Sequence, residues 1–146
     1  MDPRTILDEG ARLLAPKLVP FGFSFIPGAY GKGSGGDAAS GHFVRGDRKL
    51  ELHFRYSLGL VTYHFGVMEM SHADFMRSVL GSKGGNKYPG FSDDPLQGFM
   101  DLAYDLEHYA KDFIEGADDE LRGHFVQSGR SPAPRGFKAI NDGDAV

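Results

Sequence analysis

Two back-to-back runs of strict alternation limit what this chain can become more than any other feature of its 146 residues. Leu50, Leu52, Phe54 and Tyr56 alternate with Glu51, His53 and Arg55, and Val61, Tyr63, Phe65 and Val67 alternate with Thr62, His64 and Gly66. A period of two belongs to a strand with one buried face, so the break at Ser57-Leu58-Gly59-Leu60 predicts a hairpin. Opposed residues must share a face, and a loop of two or four residues then pairs Tyr56 with Val61, Phe54 with Tyr63 and Leu52 with Phe65. Gly46-Asp47 marks a second tight turn that sets a strand through His42, Phe43 and Val44 beside 50–55. Phe21-Gly22-Phe23-Ser24-Phe25-Ile26 reads as a further aromatic strand.

Helical periods flank this region. Ile6, Leu7, Ala11, Leu13, Leu14 and Leu18 recur at helical spacing behind Pro3, and Pro16 is expected to end that helix near Ala15. Ser71 caps a short helix carrying Phe75, Met76, Val79 and Leu80, with Gly81 as its stop. A long glycine-rich loop follows over 81–91. Asp94-Pro95 opens the longest helix, whose stripe is Leu96, Phe99, Leu102, Ala103, Leu106, Ala110 and Phe113, ending at Gly116. Asp118-Asp119-Glu120 begins a last short helix through Leu121 and Phe125. The expected fold is α+β: an N-terminal helix, an antiparallel meander of about four strands, and two to three C-terminal helices packed on one face. One globular domain spans 1–127, and the proline- and glycine-bearing remainder, 128–146, reads as a disordered tail.

Several function classes lose support at once. With no cysteine there is no disulfide, thiolate site or cysteine nucleophile. No Gly-x-Ser-x-Gly elbow follows a strand, so an enzyme is not the favoured reading. Gly31-Lys32-Gly33-Ser34-Gly35-Gly36 lacks the Walker spacing and is expected to be a mobile hairpin loop. Ten of the twenty acids lie within 93–120, where Lys111 is the only base. Such a surface repels phosphate backbones, so no nucleic acid is expected as a partner, although Arg45, Arg48, Lys49 and Arg55 with Phe43 and Tyr56 are the nearest approach to a basic stripe. Nothing resembles an export signal or a membrane span, and a cytoplasmic protein is expected.

Two constellations could carry chemistry. His42, His53 and His64 fall on the open sheet face, with His53 set opposite His64, and three imidazoles there could ligate zinc or serve an acid–base step. Asp101, Asp105, His108 and Asp112, spaced four, three and four, form a polar stripe opposite the apolar one, suited to meeting a basic partner. Val44, Leu60 and Met68 on the open sheet face would suit a homodimer interface.

The run Tyr88-Pro89-Gly90-Phe91-Ser92-Asp93-Asp94-Pro95-Leu96 leading into Phe99, Leu102, Asp105-Leu106 and Asp112-Phe113, behind a strand hairpin, resembles small bacterial cytoplasmic proteins of the immunity type over about residues 45 to 116. No diagnostic motif accompanies it, and no residue role transfers. The resemblance implies an inhibitor that binds a partner toxin, often through an acidic surface facing a basic active site. The acid count and the absent catalytic motif independently favour a protein-binding module without a cofactor. The alternative is a metal-dependent enzyme or small-ligand binder using the histidine row.

Overall fold

The computed structural model describes residues 2–31 and 36–128. Helix α1 (Pro3–Leu18) leads into a five-stranded antiparallel meander: β1 (Ser24–Gly31), β2 (Ala38–Arg45), β3 (Arg48–Phe54), β4 (Leu58–Phe65) and β5 (Met68–Ser71). Helices α2 (His72–Leu80), α3 (Gln97–Tyr109), α4 (Lys111–Ile114) and α5 (Asp118–Ser128) complete the chain. This is the expected α+β architecture with one more strand, because Gly66, at φ 61°, turns β4 tightly enough for Met68 to pair with Phe65. The central run of the expected mobile loop, 32–35, and all of the expected disordered tail except Ser128, which instead ends α5, lie outside the described residues.

The sheet turns Phe43, Leu50, Leu52, Tyr63 and Phe65 toward the helices, and all five are buried. An aromatic cluster joins the layers: the Tyr63 ring stacks on Phe75 at 4.6 Å and meets Phe113 edge-on at 4.9 Å, while Phe54 stacks on Phe99 at 6.0 Å. Rings in these geometries gain beyond their buried area. A core without tryptophan is thereby filled.

Three local expectations are corrected. Helix α1 runs through Pro16 to Leu18, since a proline in the last turn loses one hydrogen bond while Leu14 and Leu18 both reach the core. Strand β1 begins at Ser24, and Phe21 sits in a 3-10 turn closed by Gly22 at φ 96°. The β3–β4 register is displaced by four residues: Leu52 opposes Val61, Leu50 opposes Tyr63, and His53 opposes Leu60. Leu58, assigned to the turn, is buried as the first residue of β4, so the turn falls on Arg55, Tyr56 and Ser57 and a bulge at His53/Phe54 absorbs the difference. An even displacement leaves the paired side chains from Leu50 to Phe54 and from Val61 to Phe65 on their expected faces, while Tyr56, expected inside, is exposed in the turn. The runs' outer ends differ as well: Val67 is fully exposed in the β4–β5 turn, and Met68 packs against the core instead of facing outward.

Two arginines at the β2–β3 turn close the helical layer. Arg48, buried, donates to the carbonyls of Asp112 (3.2 Å), Phe113 (2.9 Å) and Gly116 (2.6 Å) and to Asp118 Oδ1 (2.9 Å). Arg45 reaches the carbonyls of Phe21 (2.6 Å) and Ile114 (2.7 Å). Both are occupied with the ends of helical segments and take no part in a basic stripe.

Helices α1 and α3 approach closely at Gly10, where an added Cβ would lie 2.4 Å from the Phe99 ring. Gly10→Ala is expected to destabilise by about 1–3 kcal/mol through overpacking, despite alanine's better helix propensity. A urea denaturation curve checks this. A raised midpoint, as for a solvent-facing helix glycine, would refute the crossing.

Candidate functional site

The long loop between α2 and α3 is held from below by a buried polar chain. Tyr63 donates its hydroxyl to His72 Nδ1 (2.7 Å), and His72 Nε2–H donates to Asp105 Oδ2 (2.9 Å). Asp105 also accepts from the backbone amides of Lys87 (2.7 Å) and Tyr88 (2.8 Å). Three donors fill the acceptor sites of one buried carboxylate, and His72, donating through Nε2 and accepting at Nδ1, passes the chain on to Tyr63. Burial, with the Asp105 charge added, raises the Tyr63 hydroxyl well above its ordinary pKa. Tyr88 donates its hydroxyl to the Leu58 carbonyl, and burial pushes its pKa up to about 12. Asn86 Nδ2 closes the loop onto the Tyr88 carbonyl at 2.7 Å.

Above this anchor the loop presents a surface. Phe91 is fully exposed, and Tyr56 of the facing β3–β4 turn is 77 % exposed. Asp93 and Asp94 follow at once. Asp94 Oδ1 accepts from the Leu96 amide at 2.9 Å, and Ser92 Oγ accepts from the Asp94 amide at 3.0 Å, so the approach to α3 is locally fixed. Among the described residues neither carboxylate has an ion-pair partner. Between the two segments lies a groove of about 290 Å³ that includes Tyr56, Ser57, Tyr88, Asp93 and Asp94 in its lining.

The acidic stripe divides. Asp105 is fully buried in the anchor and offers nothing to a partner. Asp112 Oδ2 accepts from His124 Nε2 at 2.8 Å, and His108 stacks on Tyr104 at 4.0 Å while its Nδ1 reaches the Tyr104 carbonyl. Asp101 is half-buried beside Gly90 and accepts from Gln97 Nε2 at 2.9 Å. Elsewhere Glu107 meets Lys17 at 2.5 Å, Asp118 meets Arg48 and Asp119 meets Arg122. Lys17, Arg48 and, within α5, Arg122 thus pair with three of the segment's ten acids.

The histidine row is rearranged as well. His53 Nε2 lies 2.6 Å and His64 Nε2 2.7 Å from the two oxygens of Glu51, which sits between them. Desolvation raises the Glu51 pKa, but the hydrogen bonds from His53 and His64 outweigh it and hold the carboxyl below its usual value. His42 opposes Glu51 on β2, and burial with the nearby Lys49 charge lowers its pKa. Among the described residues no three His, Asp or Glu side chains come together as a metal-holding set. A cavity of about 600 Å³ beside His53 is lined mainly by small and apolar residues, including Ala29, Ala38, Phe54 and Leu60.

One arrangement escaped sequence reasoning because its members lie on three helices. His124 Nδ1 is 2.8 Å from Ser78 Oγ, and its Nε2 bonds Asp112. These are the residue types of a hydrolytic triad. The Ser78 hydroxyl, however, donates to the Phe75 carbonyl at 2.6 Å, so its proton is directed away from the imidazole, and no member lines either cavity described above. The trio works as a clamp joining α2, α4 and α5.

The molecule is therefore an α+β protein with an open antiparallel sheet, helices on one face, and a buried anchor under an exposed loop. No helix is long and apolar enough to cross a membrane among the described residues. No family model, curated protein sequence or solved structure matches the chain.

Proposed function

We propose that the chain is a protein-binding module of immunity type, an inhibitor acting in the bacterial cytoplasm, which meets a basic partner through the Phe91 loop. One observation carries the reading: a fully exposed phenylalanine beside two carboxylates without ion-pair partners, on a loop held by two backbone hydrogen bonds to a buried aspartate. Exposed apolar groups rimmed by charge mark interaction surfaces. Aromatic anchors supply much of the affinity at such surfaces, rim carboxylates steer a basic partner, and a loop ordered before binding has less entropy to lose. The surface thus moves from the helical stripe to the approach of α3, where Asp101 is its nearest member.

Capture from a cell lysate tests this, with the full chain as bait. A basic protein is expected to be retained at low salt and released as salt rises. Phe91→Ala should cut retention about tenfold, the equivalent of about 1.4 kcal/mol, and Asp93→Asn with Asp94→Asn should weaken it and flatten its salt dependence. Retention unchanged in these variants, or lost instead in His53→Ala with His64→Ala, would move the surface elsewhere.

The 600 Å³ cavity beside His53 favours a second reading, a small-ligand binder at the end of strands β1 to β4. Under that reading His53→Ala, not Phe91→Ala, would abolish binding.

A further inference from the structure

The groove beside Phe91 has a size and a charge of its own. At about 290 Å³ it sits at the lower end of ligand pockets, about 300–1,000 Å³, and holds one long side chain. Asp93, Asp94 and the exposed Tyr56 all belong to its lining, while Gly59, Gly90 and Gly98 leave parts of that lining bare. Gly98 is closely fitted, since a Cβ there would lie 3.3 Å from Leu58 Cβ. No Lys, Arg or His side chain lines the groove among the described residues. The nearest bases are engaged or outside it: Lys87 Nζ lies 4.2 Å from the Tyr104 ring centre, and Arg55 lines the neighbouring depression with Asp37 and Asp93.

We propose that this groove receives one arginine side chain of the basic partner. The inference rests on the protein-binding reading and names the group recognised. A guanidinium is planar, weakly hydrated and always charged. It can stack on the Tyr56 ring while its fork meets the carboxylates, whereas an ammonium is a strongly hydrated point charge. Two carboxylates in a lining that holds no Lys, Arg or His give the groove the complementary charge.

The probe is N-acetyl-arginine methylamide, titrated into the full-length ¹⁵N-labelled chain and followed by amide chemical shifts. Saturable shifts at Gly59, Gly90 and Gly98 are expected in the millimolar range, with binding at least about threefold weaker for the lysine analogue. The citrulline analogue, which keeps the shape without the charge, should give none. Asp93→Asn with Asp94→Asn should remove the arginine response and leave the rest of the spectrum in place. Absent shifts, equal shifts with citrulline, or shifts centred elsewhere would overturn the assignment. If arginine fails while Phe91→Ala still cuts partner capture about tenfold, the groove is wrong and the binding module stands. If arginine binds while capture ignores Phe91, the groove stands and the module reading falls.

Discussion

Asp105→Ala is expected to lower the unfolding free energy by about 3–5 kcal/mol, the cost of removing one partner from a buried charged network. The loss is large because three donors are orphaned together: His72 Nε2 and the amides of Lys87 and Tyr88. Each buried group left unpaired forfeits its hydration without compensation. Asp105→Asn should cost less, since its carbonyl oxygen keeps part of the acceptor role while its NH2 faces a donor. The loop over 84–96 should loosen more than the sheet, so faster hydrogen exchange at the Lys87 and Tyr88 amides is expected along with a lower urea midpoint. Partner capture should fall too, through poorer presentation of Phe91. A variant within about 1 kcal/mol of the parent, well below what breaking a buried pair costs, would contradict the anchor.

Arg48→Met is the second large effect, expected at about 2–3 kcal/mol. Methionine keeps much of the apolar stem's packing and removes the guanidinium, so the measured loss reports its hydrogen bonds. Three of the four acceptors are backbone carbonyls at the end of α4 and the turn after it, groups that no helix satisfies by itself. The Asp118 contact should contribute little, because that carboxylate is 69 % exposed and surface pairs are worth about 0–1 kcal/mol. The parent's stability should therefore hold in 1 M salt, where exposed pairs are screened and buried donors are not. A salt-induced loss equal to that of Arg48→Met would mean that the ion pair, not the carbonyl cage, carries the effect.

These two residues show where the sequence was legible and where it was not. Alternation over 49–65 gave the sheet and its buried face correctly, because facing depends only on parity. The register was out of reach of parity, and the burial of Leu58 decided it. Ser71 and Gly81 bound α2 as read, since a cap and a stop are local chemistry. Asp105 was placed on the polar stripe, yet it lies three residues after Leu102 and beside Leu106, on the margin of the apolar face. A carboxylate there, with a histidine opening α2 and a long loop needing acceptors, was the available signal. Arg48 offered none: its carbonyl partners lie 64 to 68 residues away. The clustering of acids was plain in the sequence, and the Asp119–Arg122 pair is local helix spacing, but the pairing of Glu107 with Lys17 and of Asp118 with Arg48 is a property of the folded chain.

The most direct test of the central claim is a hydrogen-exchange footprint of the full chain, alone and in complex with the basic protein it captures. Slower exchange over 55–59 and 88–98, with the outer strand positions 49–53 and 60–64 unchanged, is the predicted result. Protection centred on the sheet face, with 88–98 exchanging as in the free chain, would contradict it.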